Sequence, residues 1–194
     1  MRRLISMLLM LCLPVIAAWA QDTDGVPRMQ TMVSRASKDG HTFFEISAKG
    51  FVQAAPQQAW RVLTGYERLP EFVPNLRSSK LVARNGNEVI LEQESTAGFL
   101  FVAQGIHLVL RVTEQPYSAI DIAMVDGDMK HYSARWELTP VEQNGVAGTR
   151  ITYAGTMEPG FFILPIVGDM VVEKDVKEMM NAVAAEIDRT ARVK

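Results

Sequence analysis

Five side chains in the middle of the chain have the types and spacing needed for acid-base chemistry: Glu92, Glu94, His107, Arg111 and Arg135. The two glutamates are two positions apart, so in an extended strand both side chains lie on the same face of the sheet. Burying both together would favour the protonated form of one carboxyl group and turn it into a proton donor. An acid-base enzyme is therefore one hypothesis for this protein.

The register of the strand decides whether that chemistry is available. The apolar run Val89-Ile90-Leu91 precedes the two glutamates and leaves both registers open. If Leu91 points inward, Glu92 and Glu94 point into water. Alternating charged residues are typical of the solvated face of an antiparallel sheet, and this favours an outer face over a catalytic site.

Other kinds of chemistry have weaker support in the sequence. His41, His107 and His131 are isolated and lack the spacing of a metal site, so we predict no metal. The sequence contains no glycine-rich phosphate loop and no nucleophile-elbow motif, and we predict no cofactor. The single cysteine, Cys12, lies in the N-terminal segment, so no disulfide is expected in the folded domain.

Residues 1–20 have the anatomy of a secretory signal peptide. Arg2 and Arg3 precede an apolar core, and a small-x-small cleavage signal ends at Ala20. Removal of this leader takes away two cations and no acid, so the net charge goes from −2 to −4. A mildly acidic chain is poorly suited to holding a phosphate backbone, and we expect no nucleic-acid partner. We predict export to the periplasm, a loose lead-in over residues 21–28 and one domain over residues 29–194.

The elements that must position any site are one long helix and a sheet. Residues 169 to about 189 carry apolar residues at steps of three and four, with Pro165 and Asp169 as start signals. This helix would be about 30 Å long, enough to cross a small sheet. Its apolar positions are Val172, Val176, Met179, Met180, Val183 and Ile187.

The rest of the domain alternates with the period of two that is typical of strands. One strand precedes a short helix that begins at Pro56 and is terminated by Gly65, and a second helical turn is expected from Leu69 to Val73, kept short by Pro70 and Pro74. About six strands follow, separated by turn signals such as Asn85-Gly86 and Asn144-Gly145, and residues 97–101 form an apolar corner. The order predicts an α+β domain with an antiparallel meander.

The segment from residue 55 to residue 76 resembles a known family. Its features are Ala55-Pro56, then Trp60, then Tyr66-Glu67 and finally the Leu-Pro-x-Phe-x-Pro run that begins at Leu69. This pattern is similar to that of the START-like, or polyketide cyclase/dehydrase-type (SRPBCC), superfamily, including its coenzyme-Q-binding branch. Gly65 stands where members usually have Asp, and residues 125–130 and 136–138 add to the resemblance.

The resemblance implies a helix-grip fold, in which a curved antiparallel sheet holds the long C-terminal helix with an apolar cavity between them. Side-chain alternation then assigns an inward set, for which a filled core is the alternative to a lined cavity. The methionines clustered in this set favour a lined cavity over a filled core, because Met adapts to irregular apolar partners. The predicted ligand-binding residues are Leu108, Leu110, Ile122, Met124, Trp136, Tyr153, Met157, Met179, Met180 and Val183.

The loop of residues 161–167 leads into the long helix and is strongly apolar. It is either a buried crossover or the mouth of the cavity, with Phe161 and Phe162 at the entrance and transient contact with a membrane. The sequence thus favours an exported binding protein for a lipid or other hydrophobic small molecule. A cyclase/dehydratase-type enzyme and a protein-interaction module are the alternatives.

Overall fold

The structure is a computed structural model that describes residues 29–38, 40–99, 102–161 and 168–193. Eight strands, two α-helices and one short 3₁₀ helix make up this part of the chain. In chain order they are β1 (Met29–Lys38), β2 (His41–Val52), α1 (Pro56–Leu63), the 3₁₀ helix (Tyr66–Glu71), β3 (Leu76–Asn85), β4 (Glu88–Phe99), β5 (Val102–Gln115), β6 (Ala119–Gly127), β7 (Met129–Gln143), β8 (Val146–Pro159) and α2 (Gly168–Arg192).

The eight strands form one curved antiparallel sheet in the order β1-β2-β8-β7-β6-β5-β4-β3. Strands β3 to β8 are a meander in which each strand pairs with the next, as the six-strand prediction requires. Strand β2 pairs with β8, with Ile46 opposite Gly155, and this pairing places the N-terminal hairpin beside the end of the meander. The predicted α+β architecture is confirmed.

Turn residues set the hairpin registers. Asn144 and Gly145 both have positive φ values, 52° and 77°, as a two-residue turn between twisted strands requires, so this prediction is confirmed. The other Asn-Gly pair is used differently, because β3 continues through Asn85 and the turn consists of Gly86 and Asn87. Gly86 supplies the positive φ there, at 58°.

Two local predictions need correction, and a third is confirmed. The second helical turn begins at Tyr66 rather than at residue 69, and Pro70 lies inside it, near its C-terminal end, instead of limiting it. The expected apolar corner is partly strand, because β4 runs to Phe99 before residues 100 and 101, which lie outside the described residues. The short helix α1 ends at Leu63 with Thr64 as its C-cap, so Gly65 follows the helix end as predicted.

Helix α2 lies along the inner face of the sheet and is attached at both ends. It begins at Gly168 and ends at Arg192, so it is slightly longer than predicted. Asp169 is inside the first turn, where its carboxylate accepts a hydrogen bond from Arg35 of β1 at 2.8 Å. At the other end the backbone amide of Gln53 donates to Asp188 at 3.0 Å.

Across the part of the chain that is described, no helix combines the length and apolar character needed to cross a bilayer.

Candidate ligand-binding site on the inner face of the sheet

Backbone pairing arranges the inward side chains in rows across the strands. In one row Ile120 of β6 lies opposite Trp136 of β7, and Trp136 lies opposite Tyr153 of β8. Two rows further along the strands, Tyr132 of β7 lies opposite Met157 of β8. These rows face α2, so the register itself brings together residues that are far apart in the sequence.

The ten predicted ligand-binding residues all belong to this inner face or to α2, but their burial divides them. Six are buried: Leu108, Leu110, Trp136, Tyr153, Met180 and Val183. The other four remain partly accessible although they pack against the core: Ile122, Met124, Met157 and Met179.

The inner face therefore has two unlike ends. We call Ile120, Trp136, Leu138 and Ile151 the tryptophan end, where every side chain is buried and α1 adds Trp60 and Leu63 to the core. We call Met124, Tyr132, Met157 and Phe161 the methionine end; these four side chains stay partly accessible, whereas Leu110 and Phe44, which lie in the same rows, are buried. Since Met adapts its shape and packs against varied apolar partners, the methionine end is the part of this face best suited to contact a variable apolar molecule.

A pair of tyrosines joins the two ends. The hydroxyl groups of Tyr132 and Tyr153 are 3.2 Å apart and form a hydrogen bond. Burial raises the pKa of Tyr132, and burial together with the neighbouring phenol raises the pKa of Tyr153 well above its ordinary value. Both side chains are therefore neutral at physiological pH.

Sequence reasoning named Tyr153 and missed Tyr132. The alternation of side chains along β7 indicates its position, because Tyr132 is four residues from Trp136 and therefore lies on the same face of the sheet. Phe161, predicted at the mouth, is partly buried against the core and belongs to the methionine end. Phe162 lies outside the described residues.

A second polar cluster closes the inner face beside the tryptophan end. The carboxylate of Glu114 accepts two hydrogen bonds from the Arg84 guanidinium, both at 2.9 Å, and one from the Tyr66 hydroxyl at 2.8 Å. Glu114 and Tyr66 are both buried, and burial followed by this hydrogen bond raises the pKa of Tyr66. Because these polar groups hold one another, the cluster ties β3, β5 and the 3₁₀ helix together.

The five candidates for acid-base chemistry lie on the outer face. Leu91 is buried and pairs opposite Leu110, so Glu92 and Glu94 point away from α2. The Glu92 carboxylate lies 3.0 Å from the Nε2 atom of His107, within hydrogen-bond distance, and about 40% of both side chains is exposed. The outer-face interpretation is therefore correct, and the hypothesis of a buried pair of acids at Glu92 and Glu94 is wrong.

The outer face also carries a groove of about 460 Å³ across β2, β8, β7, β6 and β5. Its sides are charged and include Arg111 and Arg135, while its floor has small residues such as Ala123 and Ala154. Arg135 bonds to Asp121 at 2.6 Å, so opposite charges neutralise each other along the groove. Within the described ranges, no three His, Cys, Asp or Glu side chains are grouped in a way that could hold a metal ion.

Comparison with known proteins agrees with this fold. A family model described as polyketide cyclase / dehydrase and lipid transport matches residues 52–184. No protein in the curated set matches the chain. The match covers more than half of the chain, and the protein therefore belongs to the polyketide cyclase/dehydrase and lipid transport family, within the START-like (SRPBCC) superfamily.

Solved structures with low sequence identity share the fold. The Zhui aromatase/cyclase from Streptomyces sp. R1128 is 13% identical, with a TM-score of 0.65 over 78% of this chain and 97% of that one. A START superfamily protein from Mycobacterium smegmatis is 13% identical, with a TM-score of 0.63 over 75% and 97%. A STAR-related lipid transfer protein from Xanthomonas axonopodis is 15% identical, with a TM-score of 0.62 over 80% and 98%. At these identities the likeness establishes the helix-grip fold alone.

Proposed function

We propose that this protein is an exported, periplasmic binding protein that holds a lipid or other hydrophobic small molecule between the sheet and α2. The observation that carries the proposal is the methionine end. Its side chains point from the sheet toward the side where α2 lies, and they keep accessible surface there. The family description, which includes lipid transport, supports the same class of ligand.

Desolvation would supply the binding free energy. Each Å² of apolar ligand surface that leaves water contributes about 25 cal/mol, so the shape and volume of the site decide selectivity more than charge does. The four partly accessible residues of the predicted set, Ile122, Met124, Met157 and Met179, are the proposed contacts. The six buried ones form the wall behind them.

Export and delivery are parts of the same proposal. The leader of residues 1–20 supports passage to the periplasm, and fractionation of cells that express the full chain tests it. Residues 161–167 would contact a membrane while cargo enters. Phe161→Ser should then weaken co-sedimentation with phospholipid vesicles, and unchanged co-sedimentation would speak against contact through this loop.

The binding proposal is tested on the purified chain without residues 1–20. Organic extracts and native mass spectra should contain an apolar molecule, and the emptied protein should take up the neutral fluorescent probe N-phenyl-1-naphthylamine. Met179→Trp should reduce probe affinity at least about tenfold because the larger ring fills accessible space beside α2. Met170→Trp is the matched control, since Met170 is 68% exposed on the same helix.

Two results would overturn the proposal. One is the absence of any co-purified apolar molecule together with no uptake of the probe. The other is equal probe affinity in the wild type and in Met179→Trp. A cyclase/dehydratase-type activity remains the alternative function, but the glutamates considered for it lie on the outer face, so it would need other groups.

A further inference from the structure

The Tyr132–Tyr153 pair lies over the smallest residues of the inner face. The two tyrosines are on neighbouring strands, four positions apart in register, and their rings extend toward each other between their rows. Ala134 and Gly155 face each other in the row between them. A Cβ atom on Gly155 would lie 3.2 Å from the Tyr153 hydroxyl and 3.3 Å from the Ala134 Cβ, so glycine provides the room that the phenol occupies.

The pair has one more hydrogen-bond donor than it uses. Each phenol carries one O–H group, and the mutual hydrogen bond consumes one of the two. Neither hydroxyl has a second partner among the described residues. Tyr153 is buried and Tyr132 is partly accessible, so the free donor costs up to about 1–3 kcal/mol when it lacks an acceptor, and a guest that supplies one removes that cost.

The surroundings determine what kind of acceptor fits. Side chains of the same face on the adjoining strands are apolar, including Phe44 and Ile46 on β2 and Ile122 on β6. The charges along this face are already paired: Arg35, whose guanidinium lies against Phe44, is bonded to Asp169, and Glu114 is held by Arg84 and Tyr66. An anionic group would lose its hydration here without gaining a cation, whereas a neutral oxygen loses little.

We infer that Tyr132 and Tyr153 form a hydrogen-bond donor site for a neutral oxygen acceptor, such as a ketone, quinone or ester carbonyl, on an otherwise apolar ligand. This inference rests on the proposed function and deepens it, because it assigns the ligand a chemical class. The acceptor would lie over Gly155 and Ala134, while the apolar remainder extends toward Met124 and Met157.

The experiment compares two probes that differ only in the carbonyl group. These are 6-propionyl-2-(dimethylamino)naphthalene and 6-propyl-2-(dimethylamino)naphthalene, titrated into the emptied protein. The wild type should bind the carbonyl probe about tenfold more tightly, the effect of one net hydrogen bond. The double variant Tyr132→Phe/Tyr153→Phe should lose the preference for the carbonyl probe, whose oxygen then has no donor, and should bind the propyl probe as the wild type does. Tyr117→Phe, at a half-exposed tyrosine, should keep the tenfold preference.

The outcomes separate this inference from the proposed function. If neither probe binds the wild type, the apolar-ligand function itself fails. If both bind and the preference survives in the double variant, or if dodecanoate binds more tightly than dodecan-2-one, the function stands and the donor site is wrong. If the double variant does not fold, the infrared spectrum of the carbonyl probe bound to the wild type tests the donor site instead. A hydrogen bond from the tyrosines should lower the carbonyl stretching frequency below its value in an alkane solvent. An unshifted frequency would overturn the donor site.

Discussion

The tryptophan end and the methionine end of the inner face share one sheet, one helix and one alternation pattern, yet they differ in packing. At the tryptophan end β-branched and aromatic side chains are buried beneath α1 and α2. At the methionine end the same parity carries Met124, Tyr132 and Met157, which stay partly accessible. Side-chain alternation therefore decides which face of the sheet a residue occupies. The helices that pack on that face and the types of its side chains decide whether it is filled.

The largest expected effect comes from truncating one residue at each end of the same strand. Ile151→Ala should lower the free energy of unfolding by about 3–4 kcal/mol, because Ile151 is 1% exposed and its removal leaves a cavity. Met157→Ala should cost less than about 1.5 kcal/mol, since part of its surface is already accessible. Urea unfolding measures both values, and equal losses would remove the distinction between the two ends.

The second effect is the pH dependence of the unfolding free energy that Tyr66 produces beside the tryptophan end. The pKa of Tyr66, beside the tryptophan end, is higher in the folded protein than its unfolded value of about 10. The stabilisation is therefore complete below about pH 10 and is lost as the pH rises, by up to about 1.4 kcal/mol for each pH unit. Tyr66→Phe should flatten the fall in unfolding free energy between about pH 9 and 11. A variant whose alkaline loss equals that of the wild type would show that Tyr66 is not the group responsible.

A smaller effect concerns an imperfection in the row of Tyr153. Thr31 of β1 lies opposite Ala48, which lies opposite Tyr153, and the Thr31 hydroxyl is buried with no hydrogen-bond partner in the described structure. Thr31→Val keeps the shape and removes the orphan group, so it should raise stability by about 1 kcal/mol. Thr31→Ser, which keeps the hydroxyl, is the control. A destabilised Val variant would mean that the hydroxyl has a partner in solution.

The smallest effect is expected on the outer face, which serves as the baseline for both ends. The Glu92–His107 pair is about 40% exposed on each side, and such pairs contribute about 0–1 kcal/mol. Glu92→Gln should change the unfolding free energy by less than about 0.5 kcal/mol and leave probe binding unaltered. A loss as large as that of Ile151→Ala would contradict the assignment of Glu92 to a solvated face.

Period-two alternation predicted the sheet because each strand has one buried and one wet face. The same alternation predicts Trp136, Tyr153 and Leu110 on the inner face, where all three are buried. The 3₁₀ helix begins earlier than predicted because Pro70 does not bound it: the proline removes one backbone donor, but its fixed φ of about −65° is compatible with 3₁₀ geometry.

Contacts that join distant segments could not be predicted in the same way. The Glu114 cluster takes one residue each from the 3₁₀ helix, β3 and β5, and nothing in the local pattern of Arg84 points to that partner. The Tyr132–Tyr153 bond depends on the small size of Gly155 opposite Ala134, which matters only once β7 and β8 are in register. Which inward residues stay accessible depends on how α2 lies across them, and strand periodicity carries no information about that.

The strand order also has a kinetic consequence. Strands β3 to β8 can zip together one hairpin at a time, with short loops and little entropy lost at each step. The pairing of β2 with β8 joins residues such as Ile46 and Gly155 that most of the domain separates, and it must wait until the meander exists. We therefore expect the joining of β2 to β8 to limit the folding rate, and the site beneath α2 to be among the last features to take shape during refolding.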